Sequence, residues 1–122
     1  MILEPVETVK ILQKNGQPKT FAAGETIFTQ GEKAVAMYGI VSGEVNVLVG
    51  DKVMETLKLG DIFGIGALVH PDPTRTSTAV AKTDCQIVSI DRGRFLFAVQ
   101  EVPMFALEAL KSYSDRLRHF RS

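Results

Sequence analysis

GDIFGIGALVHPDPTRTSTAVA, running from Gly60 to Ala81, is the stretch on which the reading of this chain turns. It sets Gly64 and Gly66 at the start of a predicted short helix, then puts Arg75 before three hydroxyl residues, Thr76, Ser77 and Thr78, and a predicted strand. This is the chemistry of an anion cradle. The first turn of a helix has backbone N–H groups with no intrahelical partner, and the helix dipole adds partial positive charge there. Glycines leave those groups uncovered, so an anion can approach the N–H groups of Ile65, Gly66 and Ala67. An arginine adds a planar fork that grips two oxygens, and the hydroxyl of Thr76 or Ser77 can donate one more hydrogen bond. The same residues also read as turn glycines beside a solvated loop charge. The flanking sequence bears on the choice.

Outward from this stretch, short apolar runs are separated by a glycine followed by an acid: Gly24-Glu25, Gly31-Glu32, Gly43-Glu44, Gly50-Asp51 and Gly60-Asp61. Turn signals at such spacing, flanked by β-branched residues, predict a small antiparallel barrel or sandwich. The alternation from Glu44 to Val49 predicts a buried face of Val45, Val47 and Val49, and Val49-Gly50-Asp51-Lys52 predicts a tight hairpin into a strand over Val53 to Leu59. Further strands are expected over Thr76–Ala81 and Gln86–Ile90. Helices flank the strands. One is expected over Pro5–Lys14, with Val6, Val9 and Leu12 on one side, then a short one over Arg92–Val99 and a longer one from Val102 to Phe120 opened by Pro103. In that last helix Val102, Ala106, Ala109, Leu110, Tyr113, Leu117 and Phe120 recur at threes and fours. The stripe either packs on the chain's own strands or pairs with a second copy.

Four segments, FAAGETIFTQGE (Phe21–Glu32), YGIVSGEVNVL (Tyr38–Leu48), LKLGDIFGIGAL (Leu57–Leu68) and TRTSTAVAKTDC (Thr74–Cys85), together resemble the cyclic nucleotide-binding domain family, the sensor module of catabolite activator protein-like regulators and of cyclic-nucleotide-regulated kinases and channels. The resemblance implies a mainly β domain with flanking helices: a double-stranded β-helix, or jelly-roll barrel, with a short N-terminal helix and a C-terminal helical lid. The chain is then one domain over residues 1–122, divided into an N-terminal helical segment (about 1–20), the β-barrel (21–91) and the C-terminal helices (92–122).

It also implies a ligand site made by Phe63, Gly64, Ile65, Gly66, Ala67, Arg75 and Thr76, with Tyr113 facing a base or a partner helix, unless it is an ordinary core aromatic. The ligand implied is cyclic AMP or cyclic GMP. The chain departs from the family's phosphate-binding cassette at one chemical point. Where ligand-binding members read Phe-Gly-Glu, and the glutamate accepts a hydrogen bond from the ribose 2′-hydroxyl, here Phe63 and Gly64 are followed by Ile65. The loop VHPDPTR is one residue longer than usual and carries two prolines that stiffen it. Arg75-Thr76 matches, so the phosphate half of the site is kept and the sugar half is altered.

Composition narrows the alternatives. A chain of 122 residues is long enough for one core. Fourteen basic and fourteen acidic side chains cancel, so no global field draws the chain to nucleic acid or an anionic membrane. The basic cluster Arg116, Arg118, His119 and Arg121 reads as complementing a helix C-terminal dipole. With the sequence ending at Ser122, direct DNA binding is not expected. A cytoplasmic location is expected, since the start MILEPVETVK lacks a signal-peptide pattern and no apolar run reaches membrane-spanning length. Cys85, the lone cysteine, reads as a small buried hydrophobe. Two histidines, His70 and His119, cannot build a metal site, and His70 and Asp72 with nearby serines form no nucleophile set, so no metal, no cofactor and no enzymatic activity are expected.

Two functional classes remain. One is a stand-alone sensor that binds a small anionic ligand and signals through its C-terminal helix to a separate effector protein. The other is a degenerate module that has lost the ligand and serves protein interaction or dimerisation. Arg75 and the glycines favour the first, Ile65 the second.

Overall fold

The computed structural model describes residues 4–12 and 17–119. The elements are α1 (Pro5–Leu12), β1 (Lys19–Phe21), β2 (Thr26–Phe28), β3 (Ala36–Ser42), β4 (Val45–Val49), β5 (Lys52–Leu57), β6 (Ile62–Phe63), α2 (Gly66–Val69), β7 (Thr78–Ala81), β8 (Cys85–Asp91), α3 (Arg92–Glu101) and α4 (Pro103–His119). The strands form two four-stranded sheets, β1-β8-β3-β6 and β2-β7-β4-β5, with antiparallel pairing throughout. This is the jelly-roll arrangement, built as two facing sheets rather than one closed ring. Lys14, Phe120 and Arg121 lie outside the described residues.

The glycine–acid pairs explain much of the turn chemistry. Ala22–Glu25, Thr29–Glu32 and Lys58–Asp61 each close with the fourth residue's N–H donating to the first residue's carbonyl, at 2.9, 3.1 and 3.0 Å. Glycine occupies the third position in each, with φ of +90°, +93° and +90°, the backbone of a type II turn that side chains rarely adopt. The acid then accepts back from the first residue's N–H: Glu25 from Ala22 and Glu32 from Thr29 at 3.2 Å, and Asp61 from Lys58 at 2.9 Å. Backbone and carboxylate thus close each turn reciprocally. Gly50, at φ +59°, holds the first loop position of the two-residue β4–β5 hairpin, where Val49 pairs with Lys52.

Two apolar clusters share the β1-β8-β3-β6 sheet. Between the sheets lie Phe21, Phe28, Ile40, Val45, Leu57, Phe63, Ala79, Ala81, Cys85 and Ile87. On the other face, Met37, Val88 and Ile90 pack with Val9 of α1, Phe95 and Ala98 of α3, and Phe105 and Ala109 of α4. Alternation along β3 and β8 supplies both faces, since successive side chains of a strand point opposite ways. Cys85 is buried as expected, and its thiol donates to the carbonyls of Glu44 and Thr83.

Four expectations change. The strand over Thr76–Ala81 begins at Thr78, and the one over Val53–Leu59 runs from Lys52 to Leu57. Val49 is exposed and Val47 half-buried, because β4 carries a bulge between Val47 and Leu48 and leaves the core at the hairpin. In α4 the packed side is Phe105, Ala109 and Tyr113, while Leu110 and Leu117 are 68% and 56% exposed on the outer face. The threes-and-fours pattern had merged two neighbouring rows.

Candidate functional site

The backbone of Arg75 is held in the turn region between β2 and β3. Its N–H donates to the Glu32 carbonyl at 2.7 Å and its own carbonyl accepts from Gly31 N–H at 2.9 Å. The side chain turns inward and is only 4% exposed, which rules out the reading of a solvated loop charge. Nη1 donates to the Gly64 carbonyl at 2.8 Å and Nη2 to the Ala36 carbonyl at 2.6 Å. The guanidinium carbon lies 3.9 Å from the Phe28 ring centroid and 5.8 Å from that of Tyr38, within cation–π range. Burial lowers the pKa of Arg75 from its ordinary value, with the Tyr38 hydroxyl acting against that shift, and burial raises the Tyr38 pKa. Among the described residues the ion pairs are Arg94–Asp91, Arg116–Glu55 and Arg118–Asp115, so Arg75 has no carboxylate in direct contact, and Glu32 acts on its charge only from farther off. A cation held this deep by carbonyls and ring faces is under-compensated, and a bound anion would supply the missing charge. The two carbonyls take one N–H from each terminal nitrogen, leaving further donors of the fork for that anion.

Gly64 makes room for this arrangement. Its φ is +82°, and a Cβ built on it would fall 2.9 Å from Arg75 Nη1. Any larger residue there takes a strained backbone and must displace the guanidinium.

A cavity of about 180 Å³ opens beside the guanidinium. Of the residues predicted for the site, it is lined by Phe63, Gly64, Gly66, Ala67, Arg75, Thr76 and Tyr113, and Ser77 joins them. Ile65 is placed otherwise. Its side chain packs against the helical core cluster, and its N–H donates to the Tyr113 hydroxyl at 3.3 Å. One of the three amides predicted for anion capture is therefore engaged by α4, and burial raises the pKa of that Tyr113 hydroxyl, with Arg116 opposing. The helix α2 that presents the amides is a single turn whose start, Ile65, has no side-chain cap. Arg92 fixes its other end, Nη1 donating to the Leu68 carbonyl at 2.7 Å.

Phe28 and Val47 complete the lining, and two charged lining residues, Glu55 and Arg116, were not read as part of the site from sequence. Arg116 was assigned to the dipole of α4, but it turns inward to Glu55, with Nε 3.1 Å from Oε1 and Nη2 3.4 Å from Oε2, and also donates to the Ile62 carbonyl. Its guanidinium carbon sits 4.3 Å from the Tyr113 ring centroid, one turn earlier on the same helix. Glu55 belongs to β5, two residues before the buried Leu57 and so on the same inward face. A carboxylate in that register was the available signal. Glu55 and Arg116 also line a larger, open hollow of about 630 Å³ between β5 and α4, so their ion pair stands where the two spaces meet.

Among the described residues no group of three or more His, Cys, Asp and Glu side chains is placed to hold a metal ion, and no helix is long and apolar enough to cross a membrane. His70 and Asp72 stay in the exposed loop, where Asp72 Oδ1 accepts from the Thr74 N–H and hydroxyl at 3.0 and 2.6 Å.

The family profile for the cyclic nucleotide-binding domain matches residues 18–101. A CRP-like cAMP-activated global transcriptional regulator of Mycobacterium tuberculosis is 30% identical over 95% of this chain, and a cGMP-dependent protein kinase of Plasmodium berghei is 30% identical over 82% of it. The chain spans about half the length of the first (53%) and 12% of the second. The solved structure of Thermus thermophilus catabolite activator protein superposes with a TM-score of 0.76 at 25% identity, over 97% of this chain and 56% of that one. A profile match across most of the chain, relatives at this identity, and a jelly roll that buries Arg75 beside Gly64 agree, and the chain belongs to the cyclic nucleotide-binding domain family.

Proposed function

We propose that this domain senses a cyclic nucleotide, cyclic AMP or cyclic GMP, in the cleft beside Arg75, and transmits its occupancy through α4. The observation that carries the reading is the Arg75 guanidinium, 4% exposed and with no carboxylate in direct contact among the described residues, beside a cavity lined also by Thr76, Ser77 and the first turn of α2. Arg75 and the amides of Gly66 and Ala67 take the cyclic phosphate, Thr76 adds a hydroxyl donor, and Phe63 and Tyr113 offer apolar surface to the rest of the nucleotide. Tyr113 and Arg116 reach the cavity from α4, so a ligand there meets the helix directly and biases its position. The signal then passes to a second copy of the chain or to a separate effector protein through the outer face of that helix. Relatives named for cyclic AMP and for cyclic GMP leave both ligands as candidates.

A ligand-free interaction module is favoured by one fact: both terminal nitrogens of Arg75 already have carbonyl partners, Gly64 and Ala36. Thermal unfolding with graded cyclic AMP or cyclic GMP separates the readings. A ligand at about 100 times its Kd stabilises by about 2.7 kcal/mol, a rise of several degrees for a domain of this size. An unchanged midpoint at millimolar concentrations of both nucleotides supports the ligand-free module.

A further inference from the structure

We propose that Glu55 is the specificity residue for the ligand's sugar, accepting a hydrogen bond from the free ribose hydroxyl; this rests on the cyclic nucleotide reading above.

A ribose cyclic phosphate presents one free hydroxyl on the sugar, and a site that discriminates it from a deoxy sugar needs an acceptor aimed at that group. Among the described residues Glu55 is the one carboxylate that lines the cavity. Its place is unusual for a charge, since the inward positions nearby on the β4–β5 hairpin are the buried Val45 and Leu57. The position is also fixed relative to the phosphate side. Glu55 pairs with Val47 of β4, which pairs on its other side with Ala79 of β7, just beyond Arg75, Thr76 and Ser77. Two strand spacings, about 10 Å at the backbone, separate Glu55 from Ala79 and leave room for a sugar between the carboxylate and the guanidinium.

Arg116 holds the carboxylate in place without exhausting it. Two contacts, 3.1 Å to Oε1 and 3.4 Å to Oε2, use two of about four lone-pair positions. The Glu55 side chain remains 24% exposed at the junction of the cavity and the outer hollow, so it is not sealed into the ion pair. Ile65, whose side chain packs against the helical cluster, contributes no acceptor. The acceptor for the sugar thus comes from a strand, braced by the same helix that carries Tyr113.

Calorimetric titration of the whole chain with cyclic AMP and with its 2′-deoxy analogue tests the assignment. The natural protein is expected to prefer cyclic AMP by about tenfold or more, the size of a hydrogen bond to a charged acceptor. Glu55→Gln should narrow that preference and Glu55→Ala remove it, with the deoxy analogue's affinity nearly unchanged as internal proof that the pocket is intact. Equal binding of the two nucleotides by the natural chain overturns the assignment even if neither variant folds, and so does a Glu55→Ala variant that keeps the full preference. Failure of the natural chain to bind cyclic AMP or cyclic GMP at all is a separate result, which overturns the proposed function and this assignment with it.

Discussion

Gly64 and Arg75 form a matched pair, and each can be tested through the other. Gly64→Ala strains a backbone at φ +82° and drives a methyl toward Nη1, so it should cost about 1–2 kcal/mol from the backbone alone and displace the guanidinium. A melting curve that overlays the natural one contradicts this. Arg75→Ala leaves the Gly64 and Ala36 carbonyls without their partner, a loss of about 1–3 kcal/mol that removal of an under-compensated cation partly offsets. Because Arg75 is buried rather than a solvated loop charge, a measurable fall in melting temperature is expected beside the loss of ligand. Ile65→Glu looks on sequence grounds like a repair of the sugar site. The packing of Ile65 against the helical cluster predicts instead that the substitution lowers the melting temperature and leaves cyclic nucleotide affinity unimproved, a combination that unfolding and titration read separately. Tightened binding in that variant would show that residue 65 faces the ligand.

At the scale of elements, α4 carries two jobs on two faces. Phe105, Ala109 and Tyr113 pack inward, and Arg116 reaches β5. Leu107, Leu110 and Leu117, between 56% and 68% exposed, form an outer row at spacings of three and seven, the geometry of a narrow coiled-coil seam. We expect this row to pair with its twin in a second copy. Light scattering on the natural chain and on Leu110→Glu with Leu117→Glu should show a dimer falling to monomers, and a natural chain that stays monomeric at every accessible concentration removes the dimer as a signalling route. The helix itself was legible from Pro103 and the apolar recurrence, but its orientation was not. Apolar residues at threes and fours on both rows give one broad stripe in sequence, and only Phe105 against Phe95, 6.1 Å apart between ring centroids, says which side is in.

For the whole molecule, the jelly roll was readable because its turns are chemically explicit: glycine for a positive φ, then an acid that accepts the amide three residues back. The pairing of Arg75 with Gly64 in the candidate site was readable for a similar reason, since the two sit close in sequence as well as in space. Glu55 and Arg116 were not, because they are 61 residues apart and meet only when α4 closes over β5. Local chemistry shows in a sequence, whereas contacts made by the packing of distant elements do not. Whether the buried guanidinium is there for an anion therefore decides the function. Calorimetric titration of cyclic AMP and cyclic GMP into the natural chain, Arg75→Lys and Arg75→Ala is the most direct test. Saturable one-site binding of at least one nucleotide by the natural chain, weakened in Arg75→Lys by loss of the planar fork and absent in a folded Arg75→Ala, is the predicted result; binding that survives Arg75→Ala undiminished, or no binding by the natural chain, contradicts it.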